Sequence, residues 1–331
     1  MKLNSIFASN MVFAANKPIR IYGSGSGKAE ISFAGVTKTI ISESDFWLVE
    51  LPEMSYGGPY ELKLVTENEA VILNDIYVGE VYLFAGQSNM QFKLNESTYP
   101  TEKYESNEML RLFSTDRIEK SDRFTPKDGW VKCEKDQAGD WSAIGYLTSQ
   151  EIAKTKNVAV GAIVCYQGAS VIESWVPEGA FKKLGIDLSA NEKHQDHFLD
   201  IFSAWNGDGV LYNYAFSQIA PFSVSGVVWY QGESDTSIEE AKLYKAELTE
   251  MIRIWRNDFK NDSLPFVIIQ IADFDPRDDE AWHTVQKAQA EIQNEVDFVK
   301  TVISADICEK DNIHPPTKDI LSQRVAKALT E

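Results

Sequence analysis

Two short segments carry residues that could act together in nucleophilic catalysis. Gly86-Gln87-Ser88-Asn89-Met90 places a serine directly after an apolar run and a glycine. Asp311-Asn312-Ile313-His314-Pro315 places an aspartate three residues before a histidine. At that spacing the carboxylate can bond one imidazole nitrogen and leave the other free as a base. A serine nucleophile with such a base is the machinery of acyl transfer.

Each segment also has a structural interpretation. A serine after a strand is a common helix N-cap, and an Asp-His pair is common in surface loops. A serine after a strand together with an Asp-x-x-His near the C-terminus is a hydrolase pattern, so the pair indicates catalysis more strongly than either part.

The elements that must position these residues follow from apolar runs. Four short runs predict buried parallel strands, at 81–85, 161–166, 226–230 and 265–270. Helical patterns occupy 238–259 and 281–295. Alternating strands and helices predict an α/β fold with a mostly parallel sheet, and ligands bind such sheets at the carboxyl ends of the strands. Ser88 follows the first of these strands.

The first part of the chain has a different pattern. Residues 1–75 contain short alternating apolar runs broken by Gly, Ser, Asn and Pro, which predicts strands. We therefore expect a β-rich N-terminal domain at 1–75 and an α/β catalytic domain at 76–331. The glycine-rich residues 23–28 do not form a phosphate-binding loop, because Tyr22 and Ala29 occupy its glycine and hydroxyl positions. A hairpin turn is expected there.

Composition excludes several classes of protein. The 331 residues are 44% hydrophobic and carry a net charge of −18, which is typical of an acidic globular protein. Such acidity argues against nucleic acid and anionic membranes as partners. The sequence has no apolar stretch near the roughly 20 residues that span a bilayer.

The cysteines and the N-terminus predict a cytoplasmic location. Three widely separated cysteines are typical of reduced intracellular thiols: Cys133, Cys165 and Cys308. The apolar start of the chain is interrupted by polar residues, so we expect no signal peptide.

Three motifs identify a family resemblance. Gly86 to Met90 resembles the first block of the sialate O-acetylesterases, within the SGNH (GDSL-like) hydrolases. Residues 226–235, Gly-Val-Val-Trp-Tyr-Gln-Gly-Glu-Ser-Asp, and Asp311 to His314 resemble two later blocks. The opening residues 9–12 and 17–19 are also similar. The resemblance spans nearly the whole chain and implies a flavodoxin-like three-layer sandwich with a parallel sheet, preceded by a small all-β domain.

The resemblance implies a role for each matching residue. Ser88 would be the nucleophile, His314 the general base and acid, and Asp311 the residue that orients His314. The oxyanion hole would use the backbone N–H groups of Ser88 and Gly168. The Gln231 side chain would replace an asparagine donor of other SGNH enzymes, although a buried amide that ties strand to loop is an equal alternative.

Further residues are candidates for the substrate pocket: Gln87, Trp175 and Glu233. The Trp175 indole could stack on a sugar or pack in the core. Glu233 could bond backbone near the nucleophile turn or be a solvated loop acid.

Two positions depart from the family pattern. Ala169 follows Gly168 where many relatives have a second glycine, and this could reshape the oxyanion hole. Asp235 stands where many have asparagine, and its carboxylate could disfavour an anionic substrate. His194 and His197 offer too few ligands for a metal site, and His283 carries no expected role. We expect neither metal nor cofactor.

The function implied is a serine esterase that removes O-acetyl groups from carbohydrates, first of all from O-acetylated sialic acid, through an acetyl-enzyme on Ser88. Two alternatives stay open. The same machinery could deacetylate neutral plant oligosaccharides such as xylan or mannan fragments, or the chain could be a non-catalytic glycan-binding protein. The substrate is the one expected partner, and the sequence leaves the oligomeric state open.

Overall fold

The computed structural model describes residues 1–118, 129–183, 185 and 204–331. Strands β1 to β14 are Lys2–Leu3, Val12–Ala14, Ile19–Ser24, Gly27–Phe33, Val36–Ser42, Phe46–Leu51, Gly57–Thr66, Ala70–Gly86, Asn107–Ser114, Val131–Cys133, Val160–Tyr166, Gly226–Tyr230, Phe266–Ile269 and Val299–Val302. Helices α1 to α7 are Ser88–Gln91, Ala143–Lys156, Ala180–Lys183, Val210–Tyr214, Ile238–Asp258, Glu280–Glu291 and Asp319–Thr330.

A large mixed sheet forms the centre of the molecule. Six of its strands run parallel in the order β9-β11-β8-β12-β13-β14, and β10 pairs antiparallel at the β9 edge. The carboxyl ends of β8, β11 and β12 are adjacent, since Gly86 is in register with both Tyr166 and Tyr230. The segments that follow these three strands therefore meet at one edge of the sheet.

Strand β8 connects the two parts of the chain. Its first half pairs with β7 and β2, and its second half pairs with β11 and β12. The strand has 17 residues and passes through position 75 without a break. The strands of the N-terminal part and the parallel strands therefore share one backbone segment.

Helices cover both faces of the parallel strands. Along β8, Val81, Leu83 and Ala85 pack into an apolar cluster that includes side chains of α5 and α6. The alternate residues Tyr82 and Phe84 pack into a second cluster with side chains of α2 and α7. This is why the strand is apolar at every position, as the continuous run 81–85 predicts.

Residues 1–75, all of them described, contain strands and no helix. Their core is continuous with that of the later part, because Ile21 and Trp229 belong to the same cluster. Polar contacts join the same two parts: the Tyr22 hydroxyl donates to Ile219 O at 2.5 Å, and Arg20 Nη1 donates to Phe259 O at 2.7 Å.

The predicted elements of the α/β part are confirmed with small shifts at their ends. The run 81–85 is the end of β8, and the other three predicted strands are β11, β12 and β13. The helical patterns are α5 and α6. The prediction of a hairpin at residues 23–28 is wrong: β3 and β4 flank this turn but pair with other strands in two different sheets.

The part of the chain that the structure describes has no helix both long and apolar enough to cross a lipid bilayer.

Gly86 is a position where both the backbone conformation and a close contact oppose a side chain. Its φ is +140°, and a Cβ there would lie 2.1 Å from Tyr230 O. We predict that Gly86→Ala lowers the free energy of unfolding by about 2–5 kcal/mol, because backbone strain and a clash with β12 add. Chemical denaturation monitored by circular dichroism measures this loss.

Gly35→Ala is the matched control, since Gly35 also has a left-handed φ of +83° but nothing within 4 Å of the added Cβ. It should cost about 1 kcal/mol through strain alone. Equal losses for the two variants would contradict the close approach of β8 and β12.

Candidate active site

Ser88 lies at the start of α1, two residues after the end of β8. Its Oγ is 2.8 Å from His314 Nε2, although 226 positions separate the two residues. The N-cap of α1 is Gln87, with no side-chain capping bond. The Ser88 hydroxyl is therefore directed to the histidine and does not cap the helix. As the first helical residue, Ser88 also has a backbone N–H with no acceptor inside the helix.

His314 reaches Ser88 from the loop that precedes α7. Burial lowers the pKa of the His314 imidazole, and the nearby Lys318 ammonium lowers it further, while Glu96 acts in the opposite direction. The imidazole is therefore neutral near pH 7. Neutral Nε2 can accept the Ser88 proton, which makes His314 competent as a general base.

Asp311, the predicted orienting residue, is exposed and lies in the same loop. Within the described residues no hydrogen bond joins its carboxylate to the His314 ring. The loop is shaped instead by a backbone contact, in which the His314 N–H donates to Asn312 Oδ1 at 2.9 Å.

Gly168 follows β11 and lies beside the nucleophile. A Cβ on Gly168 would be 3.7 Å from Ser88 Cβ. The Gly168 N–H donates to Gln91 Oε1 at 3.1 Å. The structure thus brings the two predicted backbone donors of the oxyanion hole together, and one of them has a side-chain acceptor.

Two residues that the sequence analysis missed hold the Gly168 loop. Trp205 Nε1 donates to Gly168 O at 3.0 Å, and Asn206 Nδ2 donates to Ala169 O at 2.8 Å. Asn206 Oδ1 also accepts the Val171 N–H at 3.1 Å. Ala169 in this loop has a φ of +53°, in the left-handed region that favours glycine.

Gln231 is fully buried beneath this loop. Its Nε2 donates to Ser170 O at 2.8 Å and to the Asp235 carboxyl group, and its Oε1 accepts from the Tyr244 hydroxyl at 3.0 Å. Both amide hydrogens already have acceptors. The geometry is that of the buried amide tying strand to loop, one of the two roles considered for this residue.

The three residues predicted for the substrate pocket, Gln87, Glu233 and Trp175, each contact other parts of the protein. Gln87 Oε1 accepts the Gly232 N–H at 3.3 Å, so Gln87 ties the nucleophile turn to the segment after β12. Glu233 is buried and accepts from Asn89 Nδ2 at 2.6 Å. Trp175 has no exposed surface and packs edge-on against Trp229 at 5.7 Å. Trp175 therefore takes the core role and leaves no ring face open to a sugar.

Asp235 is buried and not at the protein surface. Burial raises its pKa well above the usual range, and the neighbouring Glu173 and Glu240 carboxyl groups raise it further. It accepts the Ile172 N–H at 3.1 Å. Since the raised pKa favours the neutral acid, the expected repulsion of an anionic substrate by Asp235 is weakened.

The sequence analysis also missed the polar residues beneath the catalytic pair. Asn89 Nδ2 donates to Ile313 O at 2.9 Å as well as to Glu233, which joins the nucleophile turn to the histidine loop. Lys318 donates to Asn89 Oδ1 at 2.8 Å. Asn89 lies inside the Ser88 motif, which is a signal that could have found it, whereas Lys318 lies three residues after the motif at 311–315 and had no such signal.

No metal centre is present among the described residues, where no group of three or more His, Cys, Asp and Glu side chains could hold an ion. His194 and His197 lie outside the described residues. His283 is on the exposed side of α6 and contacts Asp278 at 2.7 Å and Gln286 at 3.0 Å.

Comparisons with known proteins agree on one family. A family model described as carbohydrate esterase, sialic acid-specific acetylesterase, matches residues 78–331. The sialate O-acetylesterases of Pongo abelii and Homo sapiens are 25% and 24% identical over 328 residues, which is 88% of this chain. A solved carbohydrate acetylesterase from Xanthomonas citri superposes with a TM-score of 0.85 at 26% identity, over 99% of this chain and 74% of that one.

The chain spans 62% of the length of the two mammalian relatives.

The two described histidines provide a test of the site's electrostatics. We predict that the His314 imidazole titrates with a midpoint below 6.5, because burial and Lys318 disfavour its cation. His283 is the internal control and should titrate above 6.5, because its bonds to Gln286 and Asp278 favour the cation. Nuclear magnetic resonance of the ring protons against pH measures both, with assignment by substitution. A His314 midpoint above that of His283 would contradict the site geometry.

Proposed function

Since the chain belongs to the carbohydrate esterase family of sialic acid-specific acetylesterases, we propose that it is a serine esterase that removes O-acetyl groups from carbohydrates. The observation that carries the proposal is the 2.8 Å contact between Ser88 Oγ and His314 Nε2 at the carboxyl edge of the sheet. A hydroxyl bonded to a neutral imidazole is an activated nucleophile.

The first step forms an acetyl-enzyme. Ser88 Oγ attacks the acetyl carbonyl carbon while its proton passes to His314 Nε2. The carbonyl oxygen becomes an oxyanion bonded to a tetrahedral carbon. When this intermediate collapses, the bond from carbon to sugar oxygen breaks and His314 returns the proton to that oxygen. The products are the free sugar hydroxyl and acetyl-Ser88.

The second step releases acetate. Water replaces the sugar, His314 takes its proton, and the hydroxyl attacks the acetyl-Ser88 carbonyl carbon. Collapse of the second intermediate returns the proton to Ser88 Oγ. No redox partner or metal is needed for the balance of either step.

The oxyanion hole in this proposal consists of the Ser88 and Gly168 backbone N–H groups. Donors fixed before the reaction stabilise the developing charge without reorganisation. Gln91 Oε1 accepts from Gly168 in this structure, so the substrate oxygen must share or replace that bond. Gln231 becomes a third donor only if its amide exchanges a bond to Ser170 or Asp235 for the oxyanion.

Asp311 completes the proposed triad by orienting His314 when substrate is bound. Its place in the His314 loop supports this role, and catalytic hydrogen bonds often tighten only in the substrate complex. The order of the three sequence motifs along the chain supports a second proposal, that the protein is an SGNH hydrolase with an all-β region at 1–75 and a catalytic region at 76–331. Continuous packing between the regions favours a bracing role for the first.

O-acetylated sialic acid is the proposed substrate. The description of the family and the names of the mammalian relatives support it. The raised pKa of Asp235 removes one objection to an anionic sugar. Neutral xylan or mannan fragments are the alternative, since the printed title of the Xanthomonas citri structure names only a carbohydrate acetylesterase.

Substitutions in the triad test the mechanism. We predict that Ser88→Ala and His314→Ala each lower kcat for 4-nitrophenyl acetate by roughly 10⁴–10⁶-fold, because triad members act as a unit. Asp311→Asn should lower kcat/KM by about 10²-fold or more through loss of orientation. Unchanged circular dichroism spectra provide the control for folding.

Each result bears on a different statement. Turnover retained by pure Ser88→Ala would refute the serine mechanism, and a wild type inactive on every acetyl ester would favour the glycan-binding alternative. Full activity of Asp311→Asn would remove Asp311 from the triad and leave the Ser88–His314 pair in place.

Relative rates identify the substrate. We predict that kcat/KM for O-acetylated sialic acid exceeds that for acetylated xylo- and manno-oligosaccharides by about tenfold or more, because the family description and the names of the mammalian relatives refer to sialic acid and a site that binds its carboxylate would discriminate against neutral sugars. Acetate release, corrected with Ser88→Ala for each substrate, measures this. The reverse order would reject sialic acid and support a neutral substrate.

A further inference from the structure

Lys318 is a fully buried lysine that contacts Asn89, the residue after Ser88. Its side chain has 0% exposure and lies at the N-cap of α7, four residues after His314. The Nζ atom donates to Asn89 Oδ1 at 2.8 Å and lies 5.1 and 5.2 Å from the ring centroids of Phe92 and Tyr230. A lysine is almost never fully buried unless it is paired, and this one is held by an amide and two aromatic faces.

Asn89 extends this contact to the catalytic loop. Its Nδ2 donates to Glu233 Oε1 at 2.6 Å and to Ile313 O at 2.9 Å. One side chain next to the nucleophile thus bonds the residue before His314, the segment after β12, and Lys318. The oxygen and both hydrogens of the Asn89 amide are used, so the amide has one orientation.

The Lys318 charge also acts on His314 through space. Phe92, one of the rings beside the ammonium, lies 6.4 Å from the His314 ring. A positive charge near an imidazole disfavours its cation, and burial leaves little solvent to screen the interaction. The Lys318 ammonium therefore disfavours the protonated form of His314.

We propose that Lys318 is a positioning residue of the esterase reaction: its ammonium anchors Asn89, which holds the histidine loop against the nucleophile turn, and its charge keeps His314 a neutral base. This inference rests on the proposed function, because it assigns Lys318 a role in the Ser88–His314 pair. Lys318 acts through Asn89 and His314 and does not contact the reacting atoms.

The other charged groups around Lys318 determine the pH range in which it acts. Burial lowers the pKa of Lys318 to about 8, while Cys308, Glu233 and Glu309 act in the opposite direction. Glu96 faces His314 and favours its cation. Since burial and Lys318 lower the pKa of His314 while that of Lys318 is about 8, Lys318 is charged while His314 titrates, and its effect on His314 fades only as the pH rises past about 8.

Lys318→Met keeps much of the apolar side chain and removes the charge. We expect the titration midpoint of His314 to rise in nuclear magnetic resonance titrations. The apparent pKa of the acid limb of the kcat/KM profile should move to higher pH by the same amount. On the plateau between pH 7 and 8, kcat should fall at least about tenfold, because the histidine loop loses its anchor. Lys318→Arg, which keeps the charge, should retain the wild-type midpoint.

Lys310→Met is the matched control in the same loop. Lys310 is exposed and pairs with Asp273 at 2.8 Å, so this variant should leave both the midpoint and kcat unchanged. A folded Lys318→Met with a wild-type His314 midpoint and wild-type kcat would overturn the proposal. An equal shift in Lys310→Met would also overturn it, because any loop lysine would then suffice.

A second variant tests the proposal if Lys318→Met alone does not fold. Lys318→Met with Glu233→Gln removes both buried charges, so neither side chain is left with an uncompensated charge. A rise in the His314 midpoint is again expected, because Lys318 and not Glu233 is among the groups that shift the pKa of His314, and an unchanged midpoint would overturn the proposal. The titration needs no activity, so it tests Lys318 even if Ser88→Ala retained turnover and the proposed function failed.

Discussion

The hydrogen bond between Ser88 Oγ and His314 Nε2 requires that chain segments 226 positions apart meet within 2.8 Å. Parallel pairing of β8 with β11 and β12 brings the ends of three strands together and places Ser88. The close approach at Gly86 lets the backbone turn from β8 into α1 against Tyr230 O. His314, in contrast, comes from a loop with no strand of its own, so side-chain bonds must fix its position.

Those bonds come from a buried polar network that carries a stability cost. Burying an ammonium or a carboxylate removes hydration that only good partners replace. Here the partners are shared: Asn89 bonds Glu233, Ile313 and Lys318. Such an arrangement is favourable only when every member is present, and this makes the geometry of the site all-or-none. The network holds His314 in one position beside Ser88.

The sequence predicted what periodicity and short motifs encode. Apolar runs predicted the strands β8, β11, β12 and β13, because each of these strands is buried on both faces. The two short motifs predicted that Ser88 and His314 act as a pair. Long-range side-chain bonds could not be predicted in this way. Trp205 and Asn206 hold the Gly168 loop from a distant segment, and Trp175 faces the core because of packing with Trp229. Alternating patterns do not specify which polar side chains meet.

The charge balance of the site is set locally and opposes that of the whole protein. A net charge of −18 favours protonated histidine at the surface, but salt screens surface charges beyond about 8 Å. Lys318 is buried and close, so its effect on His314 is screened much less. Desolvation acts in the same direction. An acidic protein can therefore keep a neutral base at pH 7, because burial and then the buried Lys318 charge lower the pKa of the imidazole more than Glu96 raises it.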